Sequence, residues 1–506
     1  MRARRSIWTF LSGEVSTVII LLVALFATPL LLRWLGDERY GAVEAATDWL
    51  AYISLLEFGI GGALLPLMAR ALAQRDQRQV GTLLVAGIRA YLLVTVLMVA
   101  AGLLLVAIIP KVLPVGPSLA NDLRIGCAIG VIAIGFAPLM PFRTLLEADQ
   151  RGYLIHAALL LQSLLITAVS LILAWAKWGI SGQFVAILLG ILVFNAVMLQ
   201  QCLRRFSGLS RSVTGPIRET VEWKEIWSLN WPSFAFNLCG RVGLLTDNII
   251  IGGLLSPALV VPFFLTQRLA IMTQHELQGI GNASWAALAE LQVQGNTGVF
   301  NLRLIELTRL VAILAAASLV PIAVYDHNFV ALWVGHQRFG GDALSIIAAL
   351  NAFLLAIFSL WGWCIYGTGR VRMIMPGLIA QTVINFSLSI ILTLKLGLIG
   401  PVLGTLAGFV SVSIWYLPML LHRCFATSPM ELFKASALPI VSAVPFAAAV
   451  WWMSRAFPVT GWFDMALQTS LAALAYLALW WMVGLSAGEK ELWLSRVRGL
   501  VPGSSY

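Results

Sequence analysis

The sequence predicts an all-α integral membrane protein of about fourteen transmembrane helices. Three observations carry that expectation. Apolar residues make up 60% of the chain and charged residues 11%, where a soluble domain carries about 25% charged residues; the mean hydropathy is +0.89. The apolar runs last about twenty residues, the length of a spanning helix, and lack the two-residue alternation of a barrel strand. Basic residues fall between the runs rather than on one face. Only helices or closed barrels satisfy every backbone polar group inside a bilayer, so the runs read as helices.

Taken in order, the first six spans lie near 12–35, 42–69, 81–109, 124–146, 153–176 and 181–202. The next six lie near 226–254, 258–280, 307–327, 343–366, 374–394 and 399–421, and the last two near 435–457 and 465–485. The segments 42–69 and 258–280 carry charges and fit a simple span least well. Residues Met1–Arg5 before the first run imitate a signal peptide, but the run is too long and has no small-residue cleavage site, so it reads as the first span.

Counting Lys and Arg near span ends sets the orientation. With the N-terminus inside, the inner segments hold 22 of the 33 basic residues, the outer loops eight, and three lie within spans. Both termini are therefore expected in the cytoplasm. The longest polar stretch, Arg204 to Trp227, is expected on the same side, either as a solvated linker or as a surface for anionic lipid headgroups. The net charge of +10 does not point to nucleic acid, because no basic soluble face exists to hold it. Cys127, Cys202, Cys239, Cys364 and Cys424 stand singly in or beside apolar runs, without metal or redox spacing, and read as small buried hydrophobes.

An internal repeat is visible at two turns. Lys177-Trp-Gly-Ile-Ser-Gly182 with Gly190 matches Lys395-Leu-Gly-Leu-Ile-Gly400 with Gly408, at an offset of 218 residues. The turns fall between spans five and six and between spans eleven and twelve. That placement implies two six-helix halves related by an axis along the membrane normal. The corresponding boundaries are 1–224 for the first lobe and its linker, 225–424 for the second lobe, and 425–506 for two appended helices and the tail.

Several further motifs resemble the polysaccharide-lipid flippases of the multidrug, oligosaccharidyl-lipid and polysaccharide (MOP) exporter superfamily. These are Leu35-Gly-Asp-Glu-Arg-Tyr-Gly41, Tyr52-Ile-Ser-Leu-Leu-Glu-Phe-Gly-Ile-Gly61 and the basic turn after Met68. They continue with Asp247-Asn-Ile-Ile-Ile-Gly252, Tyr366-Gly-Thr-Gly-Arg370, and Asn385 through Gly397-Leu-Ile-Gly400 to Gly404-Thr405. The resemblance spans most of the first twelve helices. It implies two lobes around a central cavity, alternating access, and movement of an undecaprenyl-pyrophosphate-linked oligosaccharide from the inner to the outer leaflet of the bacterial inner membrane. Partners so implied are that lipid-linked oligosaccharide, a coupling proton or sodium ion, membrane lipids, and polysaccharide-assembly proteins. The family often has aspartate where this chain has Glu57, which preserves the charge.

Charges deep in a bilayer are costly and usually serve a pathway or a partner. Arg241, Arg268 and Arg89 are the candidates for binding pyrophosphate, because guanidinium grips phosphate oxygens through forked hydrogen bonds. Glu57, Asp247 and His275 are the candidates for ion coupling or gating. Spans seven and eight form a hairpin turning near Ser256-Pro257, with Asp247 roughly 13 Å and Arg268 roughly 18 Å below the turn. A salt bridge between them is feasible, either as simple neutralisation of two buried charges or as a working element. His275 shares a face with Arg268 and could relay protons or simply anchor an interface. Pro29, Pro66, Pro138, Pro141, Pro232, Pro262, Pro321, Pro376 and Pro418 fall within spans, as hinges or as packing features.

No phosphate-binding loop of the form G-x-x-x-x-G-K-[ST] occurs, so neither a nucleotide cofactor nor a metal is expected. The nearest alternative is a drug or organic-cation exporter of the same superfamily, against which three intramembrane arginines argue. A membrane-embedded polysaccharide polymerase would need a long polar loop with clustered carboxylates or histidines, and the loops here are short. The chain is therefore expected not to be an enzyme.

Overall fold

The computed structural model describes residues 2–206, 223–485, 488, 490 and 491. Most of the basic linker and of the C-terminal tail lies outside them. Among the described residues every regular element is helical, as the composition requires. The helices are α1 (Arg2–Leu35), α2 (Asp37–Ser54), α3 (Ile60–Ala73), α4 (Gln77–Val112), α5 (Pro117–Ile134), α6 (Met140–Ala148), α7 (Gly152–Trp175) and α8 (Gly179–Arg205). After the linker come α9 (Trp223–Leu254), α10 (Pro257–Val293), α11 (Thr297–Val334), α12 (Asp342–Gly367) and α13 (Val371–Leu396). The last are α14 (Gly400–Gly408), α15 (Ile414–Phe425), α16 (Pro429–Ala456) and α17 (Trp462–Leu479).

Ten helical segments among the described residues are long and apolar enough to cross a membrane, or eleven if the bent pair α2 and α3 is one span. One of the ten, Val371–Phe425, runs for 55 residues and reverses at Gly397, whose φ is +66°. Cross-links between its arms establish the reversal: Ser389 Oγ donates to the Pro401 carbonyl at 3.3 Å, and Tyr416 Oη to the Met373 carbonyl at 2.6 Å. It therefore supplies two spans. With α9 and α10, which occupy the seventh and eighth expected positions, the architecture is consistent with fourteen spans.

Local chemistry explains the helix ends and breaks. Asp76 caps α4 by accepting from the Arg78 and Gln79 amides at 3.0 Å each, satisfying two amides that lack intrahelical partners. The second span breaks by 50° inside the motif Tyr52–Gly61, where a short 3-10 turn, Leu55–Glu57, is followed by Phe58 at φ +51° and Gly59 at φ +70°. The sequence reading ran one continuous span through this point. Two successive left-handed residues cannot continue a right-handed helix, so the chain kinks.

The chain divides into two compact units: Met1–Phe263 with Phe386–Pro401, and Phe264–Asn385 with Val402–Tyr506. In the first unit helices come close at small residues, as expected where lipid gives no hydrophobic drive between helices. A Cβ at Gly41 would sit 1.8 Å from the Pro257 carbonyl oxygen, and one at Gly130 would sit 2.3 Å from Leu50 Cδ1. In the second unit α16 and α17, the helices expected as an appendage, are anchored on α11. There Tyr325 packs with Val450 and Ala472, and its hydroxyl donates to Gln468 Oε1 at 2.7 Å.

Candidate functional site

The break in the second span defines the site. Glu57 is half-buried at the end of the 3-10 turn, and the hydroxyl of buried Tyr91 on α4 donates to its Oε2 at 3.3 Å. The guanidinium groups of Arg241 on α9 and Arg143 on α6 both attract its charge. The next residue, Phe58, packs its ring 5.3 Å from that of Phe234 on α9. A carboxylate, two cations and a phenol thus gather where the backbone itself is irregular. Sequence reasoning singled out Glu57 and Arg241 separately, and found no acidic neighbour for Arg241 on its own helix. The neighbour is Glu57.

Arg89 stands apart. It lies two residues before Tyr91, on the opposite side of α4, and is exposed.

A second polar cluster joins α2 to α9. Asn248 Nδ2 donates to Asp48 Oδ2 at 2.9 Å. The Tyr52 hydroxyl bonds Thr246 Oγ1 and donates to the Val242 carbonyl at 3.3 Å. The charges of Asp48 and Asp247 repel one another, and Glu44 adds to the repulsion on Asp48. Asp48 and Glu44 were passed over in the sequence because they lie near the start of a span. Their spacing with Tyr52, every fourth residue, placed all three on one helix face and was the available signal. Among the described residues no group of three or more His, Cys, Asp or Glu is arranged to hold a metal ion.

In the second unit the guanidinium of Arg268 lies 5.2 Å over the ring of Phe264 on the same helix, a cation–π contact. His275 is exposed. Asp247 belongs to the first unit, where Asp48 is its charged neighbour.

The motif glycines have structural reasons. Gly36 and Gly369 adopt φ +78° and +75°, and a Cβ at Gly252 would meet Ala45 Cβ at 3.2 Å.

No family model matches the chain, and no curated protein does. Solved structures do. Lipid II flippase MurJ in an inward closed conformation superposes with a TM-score of 0.71 at 14% identity, covering 93% of this chain and 98% of that one. An inward-facing multidrug resistance MATE family transporter of the MOP superfamily gives 0.63 at 17% identity over 84% and 99% of the two chains. The outward-facing conformation of such a transporter gives 0.54 at 16% identity over 87% and 96%. The chain shares the fold of these proteins. It is a multi-pass membrane protein, as its composition and apolar runs predicted.

Proposed function

We propose that the chain is an ion-coupled transporter that moves an undecaprenyl-pyrophosphate-linked oligosaccharide from the inner to the outer leaflet of the bacterial inner membrane, for polysaccharide biosynthesis. The observation that carries this reading is the arrangement around the broken second span. Arg241 and Arg143 act on one carboxylate, Glu57, and a pyrophosphate arriving there competes with that carboxylate for the same guanidinium groups. Exchange of one anion for another leaves negative charge near the cations throughout, which limits the cost of an isolated charge in the membrane. A kinked helix beside the exchange gives the lobe a place to bend.

The extent of the likeness supports the same reading. Phe425 closes the twelfth span at about 84% of the chain (425 of 506 residues). The 93% covered by the flippase must therefore reach well into the last two helices. The inward-facing drug transporter, at 84%, need not.

Coupling is assigned to Asp247 with Asp48, to Glu57 and to His275, and a proton or sodium ion is the driver. Two carboxylates that repel favour taking up one cation between them. Arg268 and Arg89 remain as further pyrophosphate contacts, cytoplasmic termini follow from the charge distribution, and polysaccharide-assembly proteins are the expected partners.

The acidic cluster of Glu44, Asp48 and Asp247 favours a second reading, an exporter of organic cations. Export of lipid-linked oligosaccharide by a deletion strain carrying variants separates the two. Arg241→Ala should cut export to less than about a tenth at normal membrane abundance, and Arg241→Lys should restore part of it, since Lys keeps the charge without the fork. Normal export from Arg241→Ala combined with Arg268→Ala would remove the pyrophosphate assignment.

A further inference from the structure

One buried carboxyl plays no part in the site above. Asp326 lies on α11, eight residues or roughly 12 Å before its C-terminal end at Val334, and its relative exposure is 0%. Neither carboxyl oxygen has a hydrogen-bond partner. Ser345 on α12, itself 3% exposed, is the hydroxyl beside it and can donate to the carboxylate, the one neighbouring group among the described residues that favours its charge.

On α12, Asp342 repels the Asp326 carboxylate. In the turn after α11, Arg338 donates to the Val334 carbonyl at 2.6 Å and His336 is exposed; on α11 itself the exposed His327 ring packs edge-on 4.9 Å from Phe339. On α16, Arg455 lies 3.8 Å over the Trp451 ring, while Glu431 and Lys434 sit at the opposite end of that helix. On α17, Asp464 is engaged by Thr460.

An ionised carboxylate so enclosed is strongly disfavoured, and the neutral acid avoids most of that cost. The acid also gains an O–H that Ser345 can accept. We propose that Asp326 is a proton-binding site of the second unit, which holds its proton while α11 and α12 are packed as here and releases it when water reaches the contact between them. Proton occupancy is thereby tied to the packing of two helices. This deepens the transporter reading by naming a proton as a coupling ion, and it rests on that reading only for the use of the proton in transport.

Infrared spectroscopy of the purified full chain in detergent tests it. The carbonyl stretch of a protonated carboxylic acid should be present at neutral pH and lose one component in Asp326→Asn. Identical spectra in the two proteins would overturn the proposal. Ser345→Ala guards against failure of the first variant to accumulate. Loss of the neighbouring hydroxyl should move the same component in frequency, and an unmoved spectrum would likewise count against the site. The spectrum does not depend on any substrate, so a failed flippase reading leaves this result standing, and a failed proton site leaves the flippase reading standing.

Discussion

The two hairpins of the internal repeat, α7 with α8 and α13 with α14–α15, share their turns and differ in their interiors. At the turns the third residue of the pattern, Gly179 or Gly397, adopts φ +65° or +66°. The arms approach closely at the later glycines: a Cβ at Gly190 would lie 2.4 Å from Ile166 Cγ1, and one at Gly408 would lie 3.1 Å from the Gln381 carbonyl oxygen. In the first hairpin Gln183 Nε2 crosses to the Ser170 carbonyl at 3.3 Å near the turn, but deeper in the arms Thr167 bonds the Ser163 carbonyl at 2.9 Å and Asn195 the Ile191 carbonyl at 3.0 Å, each on its own helix. In the second, the residues at the same repeat positions reach across. Thr405 donates to Asn385 Oδ1 at 3.2 Å, and Ser413 donates to Gln381 Oε1. There too the helix widens into a π-turn over Phe409–Ser413, a feature that frequently marks functional positions. At these two repeat positions the copies differ: the first bonds within each helix and the second bonds across the arms.

The sharpest way to break this comparison is to remove the polar crossing. Gln381→Leu with Asn385→Leu should lower export by at least about tenfold, on the scale of lost positioning or charge stabilisation at a working site, with membrane abundance held. Thr167→Val with Asn195→Leu in the first hairpin should leave export within about twofold, as expected for side chains bonded only to their own helices. Equal losses from both pairs, measured as outer-leaflet lipid-linked oligosaccharide, would mean that the hairpins do not differ in role.

A smaller effect separates the turns. At Gly400 an added Cβ would lie 2.2 Å from the Thr393 backbone nitrogen, and backbone cannot move aside. At Gly190 the obstacle is a side chain. Gly400→Ala should therefore cost at the upper end of the roughly 1–3 kcal/mol typical of overpacking, and Gly190→Ala less. Thermal unfolding of tagged protein in detergent reads the order directly.

Fold class and span order were legible because bilayer length and backbone satisfaction leave strong marks in sequence. The site was legible only in part. Glu57 and Arg241 each stood out as charges within apolar runs, yet nothing local joins residues 184 positions apart, and the left-handed break at Phe58 and Gly59 that presents Glu57 carries no proline to announce it. Asp48 was hidden for a different reason: span ends are where solvated carboxylates are ordinary. Asp326 was hidden in the same way, because only packing by α12 distinguishes a buried helix end from a wet one.

The smallest effect concerns a clasp that one turn has and the other lacks among the described residues. Asp122, on α5, accepts from the Ile180 amide at 2.7 Å and from the Ser181 amide at 2.9 Å, so a side chain from a neighbouring helix satisfies the free amides that begin α8. In the second hairpin, counting 218 residues on from Asp122 gives Gly340, which has no side chain to offer. Instead its own amide donates to Thr266 Oγ1 at 2.8 Å. Asp122→Ala should cost about 1 kcal/mol, the usual worth of a helix cap, and lower the unfolding midpoint by a few degrees without changing export. Asp122→Asn should retain only part of that stability, because the amide oxygen still accepts while the second acceptor becomes a donor facing another donor. If Asp122→Ala instead impaired export at full stability, the first turn would be a moving part, and the division of the hairpins into a scaffold copy and a working copy would have to be abandoned.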